Sequence, residues 1–192
     1  LATSDWVKDD QMVCDAAIAH YATAVTDPRP IFMTVETYGP HGESAILSRG
    51  CTTDGQARLT DDLGASVACI ISDTLRFVDQ LRAMRGDRPT VLAIMSDHLN
   101  HGKSLLQHPL ADARVNTAMV LTMGLDHPPI TAGRVVDTPA AMIDLYPTLL
   151  DALSFAPEGG QAGLGMSLLR DAPTITREKG LALFNRELVP NP

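Results

Sequence analysis

The residue types best suited to chemistry follow the most apolar stretch of the chain, where Asp97 and His98 come directly after Val91–Ser96. A carboxylate beside an imidazole offers one hard oxygen and one borderline nitrogen, a donor pair that suits manganese, zinc or magnesium. Side chains that follow a strand of an open α/β sheet point into the crevice where such sheets bind ligands. The same dipeptide is also typical of a hydrogen-bonded loop, and the two interpretations stay open at this point.

A second polar segment, Thr37-Tyr38-Gly39-Pro40-His41, also follows an apolar stretch. Tyr38 and His41 could donate hydrogen bonds to an anionic substrate or take part in proton transfer. Farther along, Arg114 and Asn116 could bind a phosphate oxygen through a guanidinium fork and an amide. A turn histidine without a role, and a salt bridge next to a turn, explain the same residues equally well.

The three cysteines leave an odd count, with Cys51 in a predicted loop, Cys69 in a predicted helix and Cys14 on an apolar helix face. A bridge between Cys51 and Cys69 is sterically feasible, but the sequence pattern does not derive it. The glycine-rich nucleotide loops, the nucleophile elbow and the Cys-x-x-Cys pair do not follow any predicted strand. Hydrolases of the elbow type and nucleotide-binding folds therefore lose support.

Composition bounds the class of protein. The chain has 192 residues, 45% of them hydrophobic, which is typical of one globular domain. Its formal charge of −8 argues against a nucleic-acid groove. Apolar runs such as Val67–Ile71 are too short to cross a bilayer and no signal peptide opens the chain, so we expect a soluble piece. Because Leu1 is not a methionine, we also expect a fragment of a longer protein.

Alternating helical and apolar stretches position these residues and predict an α/β fold with a largely parallel sheet. A first helix ends at Asp27–Pro30, and a second covers Thr60–Met84, with a loop from Tyr38 to about Thr60 between them. The predicted strands are Ile31–Thr37, Val91–Ser96 (covered on both faces), Thr117–Met123 and a short one at Val135–Val136. Later helices are predicted over Tyr146–Ser154, with Asp144 as the N-cap, and over Lys179–Leu188.

The order of several segments resembles the sulfatase branch of the alkaline phosphatase superfamily. These are Pro30–Gly42, Ser72-Asp73, Val91–Leu99, Arg114-x-Asn116, Asp144–Leu153 and Gly163–Leu169. Within that branch the chain is most similar to membrane-bound phosphoglycerol transferases that modify periplasmic glucans, relatives of lipoteichoic acid synthase. The resemblance implies that residues 1–192 form the carboxyl-terminal portion of an alkaline phosphatase-like catalytic domain, mainly a parallel sheet with flanking helices.

The resemblance also implies roles for the polar residues. Asp97 and His98 would be two ligands of a catalytic divalent metal, manganese first and magnesium or zinc otherwise. The nucleophile and the remaining ligands would lie upstream of Leu1, so the catalytic residue of this chain is unknown. Tyr38, His41, Arg114 and Asn116 would bind substrate, with Tyr38 replacing the family's histidine. Cys51 and Cys69 would form a disulfide suited to an oxidising periplasm.

The implied activity is transfer of phosphoglycerol from a phosphatidylglycerol-like lipid to a glycan hydroxyl on the periplasmic face of the inner membrane. Membrane contact would come only through missing amino-terminal segments, and this chain alone would be inactive. Two alternatives stay open: a sulfatase or phosphodiesterase of the same superfamily, and a non-catalytic domain that binds a glycan or an envelope partner. A bare fragment exposes strand edges, so we also expect weak self-association.

Overall fold

The computed structural model describes residues 9–40, 45–98, 117–125, 133, 135–155, 158–180, 182–183 and 186. They belong to two compact units, one of residues 1–86 and 97–116 and one of residues 87–96 and 117–192. None of the helices within these ranges combines the length and apolar character needed to cross a bilayer.

The first unit is built on two helices that pack against each other, α1 (Asp10–Ala24) and α2 (Leu63–Met84). Side-chain caps begin both helices, because Asp9 accepts the Met12 N–H at 2.8 Å and Asp62 accepts the Ala65 N–H at 2.9 Å. Both helices were predicted and are confirmed. The buried face of α2 carries polar residues among apolar ones: Ser66, Cys69, Asp73, Phe77, Val78 and Leu81.

A short hairpin lies between these helices, where the sequence predicted only a loop. Strand β1 (Ala45–Leu47) pairs antiparallel with β2 (Arg58–Thr60), and a 3₁₀ turn over Arg49–Cys51 connects them. The loop prediction was wrong here because the glycine, serine and threonine content of this segment is typical of a loop, although two three-residue strands pair within it. Strands this short have too few alternating positions to give a periodic signal.

The predicted strand Ile31–Thr37 is absent from the structure. Exposure alternates along residues 31–36 as in a strand, and Phe32 is 95% exposed. Apolar, β-branched composition favours extended backbone, but a strand also needs a partner for its main-chain groups, and no described segment pairs with this one. Residues 31–37 therefore do not contribute a strand to the predicted parallel sheet.

The second unit contains the two predicted central strands, β3 (Thr90–Met95) and β4 (Ala118–Met123), which are confirmed. Among the described strands they pair antiparallel only with each other, in a register that joins Thr90 to Met123 and Met95 to Ala118. Most of their residues are half-buried, so β3 is not covered on both faces as its apolar sequence predicted.

The rest of the second unit is a compact arrangement of short elements. The predicted helix near Tyr146 is confirmed as α3 (Leu145–Ala152), whereas Val135–Val136 form no strand. Helix α4 (Ile175–Lys179) ends where the final helix was predicted to begin. Half of residues 179–188 lie outside the described ranges, and the described residues 182, 183 and 186 of the predicted helix are helical. The remaining elements are 3₁₀ turns at Met142–Asp144 and Glu158–Gly160 and a minimal hairpin of β5 (Gln161–Ala162) and β6 (Gly165–Met166).

The observed class is mixed α/β with small sheets. All three sheets formed by the described residues are two-stranded and antiparallel, so the predicted, mainly parallel sheet is not seen. The alkaline phosphatase-like fold stays a prediction.

Candidate functional site

Asp97 and His98 lie side by side in the first unit. The His98 Nε2 is 3.3 Å from the Asp97 Oδ2, and the His98 main-chain N–H donates to Asp97 Oδ1 at 2.8 Å. Their side chains are 72% and 45% exposed. Both sequence interpretations are thus compatible with what is seen, since the pair is hydrogen-bonded locally and both side chains are accessible.

The spacing of this pair fits two neighbouring ligands of one divalent cation. Ligand atoms about 2.1 Å from an ion lie roughly 3.0 Å apart in octahedral and 3.4 Å apart in tetrahedral geometry. The observed separation of 3.3 Å falls in that interval. Among the described histidines, cysteines and acidic residues, none joins the pair as a third ligand, so Asp97 and His98 would supply only part of a metal site.

Tyr38 lies in a turn whose main chain is bound by the buried carboxylate of Asp10. The main-chain N–H groups of Tyr38 and Gly39 donate to Asp10 Oδ1 and Oδ2 at 2.5 and 2.7 Å. Asp10 is 1% exposed, whereas Tyr38 is 54% exposed. The turn therefore has a fixed main chain and an accessible aromatic side chain.

The neighbouring Asp9 ties a different segment to the start of α1. Besides capping the helix, it accepts the Arg49 main-chain N–H at 3.2 Å and lies 3.1 Å from the Arg49 Nε. Asp9 is also 1% exposed. Two consecutive carboxylates thus connect α1 to the turn at Tyr38 and to the 3₁₀ turn that precedes β2.

Burial raises the pKa of Asp10 above the ordinary value of an aspartate. The two N–H groups at Tyr38 and Gly39 act in the opposite direction, and the Asp73 and Asp9 carboxylates raise the pKa further. The two donors of the turn therefore offset part of the cost of burying this carboxylate.

Cys51 and Cys69, which the resemblance pairs, form a disulfide in the structure with their Cα atoms 5.8 Å apart. The Asp73 Oδ2 approaches Cys69 Sγ at 3.9 Å, but a disulfide sulfur carries no proton to donate. The buried Asp73 carboxylate instead pairs with Arg76 at 3.1 Å. Although the two cysteines and Asp73 lie close enough to surround a metal, the bonded sulfurs are not thiolates and cannot act as such ligands.

Cys14 is the free cysteine of the chain and is buried on α1. Burial, followed by the nearby Asp73 and Asp10 carboxylates, raises the pKa of its thiol to about 11. The thiol therefore stays protonated near neutral pH and does not act as a nucleophile.

His41, Arg114 and Asn116, the other predicted substrate-binding residues, lie outside the described residues. The sequence analysis did not single out Asp9, Asp10 or the Asp73 carboxylate as site residues. The signal that could have found the first two is an Asp-Asp pair directly before an apolar-periodic helix, a position where one acid caps the helix.

In the second unit, buried carboxylates accept hydrogen bonds from neighbouring segments. Asp144 occupies the N-cap position of α3 as predicted, but its carboxylate accepts the N–H groups of Ala141 and Met166, each at 2.8 Å, rather than capping the helix. Asp151 accepts from the Ser167 hydroxyl at 2.7 Å and from two Arg170 nitrogens at 2.6 Å. These bonds hold α3 against the minimal hairpin and the segment after it, which is a structural role.

The chain is similar in sequence to two curated proteins named phosphoglycerol transferase I. The one from Xanthomonas campestris pv. campestris is 31% identical over 173 residues, which are 88% of this chain and 24% of the relative. Its counterpart from strain B100 of that pathovar is 30% identical over the same coverage. No family model matches the chain, and no solved structure does. The chain thus resembles phosphoglycerol transferase I over most of its own length while it spans about a quarter of the length of the curated relatives it matches.

Proposed function

We propose that this chain is part of a metal-dependent phosphoglycerol transferase of the sulfatase branch of the alkaline phosphatase superfamily. The observation that carries the proposal is the likeness to phosphoglycerol transferase I across 88% of the chain. It agrees with the resemblance drawn from the order of motifs around Tyr38, Asp97 and Asp144. The reaction moves phosphoglycerol from a phosphatidylglycerol-like lipid to a glycan hydroxyl.

Asp97 and His98 are the residues of this chain that would hold the metal. Their exposure leaves both side chains accessible, and the 3.3 Å between their donor atoms suits adjacent ligands. A divalent cation held there, manganese by preference, would neutralise charge on the transferring phosphoryl oxygens and lower the pKa of the attacking hydroxyl. The nucleophile and the other ligands would come from sequence that precedes Leu1 in the longer protein.

Tyr38 would contact the phosphoglycerol group. Its phenol can donate one hydrogen bond and accept another, so it suits a glycerol hydroxyl or a phosphate oxygen. His41, Arg114 and Asn116 are proposed substrate contacts on the resemblance alone.

The disulfide supports an extracytoplasmic location for the parent protein. Disulfides persist in the periplasm and are reduced in the cytosol, and Cys51 and Cys69 are bonded here. A phosphatidylglycerol-like donor and a periplasmic glycan acceptor would both be available at that face of the inner membrane.

The test uses the natural protein that carries this sequence, with manganese supplied. Asp97→Ala should lose both manganese binding, read by electron paramagnetic resonance, and turnover of the lipid donor. Asp87→Ala is the matched control, because Asp87 is another exposed aspartate that precedes β3 and should leave both properties unchanged. Unchanged metal retention and turnover in Asp97→Ala would refute the metal assignment.

A further inference from the structure

The turn at Tyr38 is the part of the candidate site whose support is seen in most detail. Asp10 is a buried carboxylate at the first position of α1, and both of its oxygens are occupied by main-chain N–H groups of this turn. The contact spans 29 residues of sequence. It is therefore a tertiary contact between the start of α1 and the turn.

The Asp10 carboxylate packs so closely against the turn that no room is left for a side chain at Gly39. A Cβ added at Gly39 would lie 2.4 Å from Asp10 Oδ2 and 3.4 Å from the Ile46 carbonyl oxygen. Real Cβ atoms do not approach an oxygen to 2.4 Å, so the close contact requires glycine at this position. The main chain of the turn is thus held at a separation that only Gly39 permits.

The other side of the turn is anchored through β1 to α2. The Gly39 carbonyl accepts the Ile46 N–H at 2.7 Å, and the Ile46 carbonyl accepts the Ser66 hydroxyl at 2.8 Å. Ser66 is fully buried. Asp10 on α1 and Ser66 on α2 therefore fix the turn from two helices that pack together.

Asp9 is a natural control for Asp10, because it stabilises the same helix start without a bond to the turn at Tyr38. It is as buried as Asp10 and belongs to the same dipeptide, but its bonds go to Met12 and Arg49. Loss of either carboxylate removes buried hydrogen bonds of similar number. Only loss of Asp10 removes the bonds to Tyr38 and Gly39.

We propose that Asp10 is a positioning residue for ligand binding at Tyr38, because it fixes the main chain from which the accessible phenol meets the glycerol phosphate group. This inference rests on the proposed function, since it takes Tyr38 as a contact of that group. Asp10 itself does not touch the ligand. It acts by keeping Tyr38 in one place before the ligand arrives, which lowers the ordering cost of binding.

The test follows glycerol 1-phosphate binding to the natural protein that carries this sequence, with manganese supplied, by amide NMR with shifts at Tyr38 and Gly39 as the readout. Asp10→Asn keeps the size of the side chain but presents an NH₂ group to one of the two N–H donors. We expect the Kd to weaken about tenfold or more, equivalent to about 1.4 kcal/mol. Exchange of the Gly39 amide with solvent should accelerate in the same variant.

Two further variants make the result specific. Asp9→Asn should destabilise the fold comparably, because it loses a similar number of hydrogen bonds. It should keep the Kd within about twofold at equal folded fraction, because the bonds of Asp9 go to Met12 and Arg49 and not to the turn. Tyr38→Phe removes only the hydroxyl of a side chain that is 54% exposed and leaves the main-chain bonds to Asp10 in place. It should stay folded with a protected Gly39 amide and lose most of the binding.

The possible outcomes distinguish failure of the positioning role of Asp10 from failure of the proposed function. If the natural chain binds and Asp10→Asn binds as tightly, or if Asp9→Asn loses as much affinity, Asp10 is not a positioning residue. Unchanged binding by Tyr38→Phe would also overturn the inference. If the natural chain shows no shift at millimolar glycerol 1-phosphate, the proposed ligand is wrong and the inference falls with it.

Discussion

The Oδ2 atom of Asp10 accepts the main-chain N–H of Gly39 at 2.7 Å, and a single methyl group on Gly39 would lie 2.4 Å from that oxygen. This relationship connects the start of α1 to the turn that carries Tyr38. The candidate substrate contact therefore depends on a buried acid 28 residues away from it in the sequence.

Replacing Gly39 with alanine tests this contact directly. The added methyl must push the turn away from Asp10, which weakens two hydrogen bonds to a buried carboxylate. We expect the free energy of unfolding to fall by about 1 to 3 kcal/mol, as for other overpacked sites. Urea unfolding followed by circular dichroism measures the change.

Gly133→Ala is the matched control, since its new methyl would meet no described atom within 4 Å. We expect a change within about 0.5 kcal/mol there. Equal stability of Gly39→Ala and the unmodified chain would mean that the turn does not press against Asp10 in solution.

The disulfide predicts the number of reactive thiols. One bridge among three cysteines leaves Cys14 free, so denatured, unreduced protein should contain one thiol per chain. Quantification with a thiol reagent checks this count, and the fully reduced protein gives the reference value. Three thiols without reductant would show that Cys51 and Cys69 are not bonded.

Reduction should also lower stability. The bridge joins residues 18 positions apart, and closing a loop of that size contributes roughly 3 kcal/mol through the entropy of the unfolded chain. We expect Cys51→Ser to lose a similar amount in urea unfolding. The comparison with Cys51→Ser under reducing conditions is informative, because the reductant should then have no further effect.

The Asp151–Arg170 pair predicts an acid-dependent loss of stability in the second unit. Hydrogen bonds from Arg170, and more weakly from Ser167, outweigh burial and lower the pKa of Asp151. A lowered folded-state pKa contributes stability above the unfolded pKa of about 3.9 and loses it as the pH falls through the folded value. Asp151→Asn should therefore cost about 2 kcal/mol at pH 7 and progressively less below about pH 4.

Unfolding by urea between pH 7 and pH 3 follows this difference. Asp79→Asn is the control, since Asp79 is 78% exposed and its pair with Arg82 is 4.0 Å long. Its effect should stay within about 0.5 kcal/mol at every pH. A cost for Asp151→Asn that does not shrink in acid would show that the lost charge is not its cause.

The sequence predicted the long helices well because their signals are local. Asp62 before an apolar-periodic run and Gly86 after it mark α2, and Gly86 indeed adopts a positive φ of 58°. Strands β3 and β4 were likewise found from runs of apolar residues.

Strand pairing was less predictable, since it depends on partners distant in the sequence. Residues 31–37 have the composition of a buried strand but do not pair with any described segment. The apolar run at β3 fitted a parallel strand covered on both faces, whereas β3 pairs antiparallel with β4. Composition identifies the residues able to form a strand and leaves its neighbours undetermined.

The residues of the candidate site were likewise predicted only in part. Tyr38, Asp97 and His98 were identified because phenol, carboxylate and imidazole groups follow apolar runs. Asp10 was missed because a carboxylate that binds main-chain N–H groups 28 and 29 residues away has no signature in the spacing of side chains. The Asp9–Asp10 pair before α1 could be recognised as a capping signal, but the contact of Asp10 with the turn at Tyr38 is recognisable only from the three-dimensional arrangement.

The identity of the product tests the proposed phosphoglycerol transfer most directly. The natural protein, incubated with manganese, phosphatidylglycerol and a glucan acceptor, should yield glucan that carries glycerol phosphate, detected by mass spectrometry. Asp97→Ala should yield none. Free glycerol phosphate with unmodified glucan would instead identify a hydrolase, and an untouched lipid donor would contradict the enzymatic account altogether.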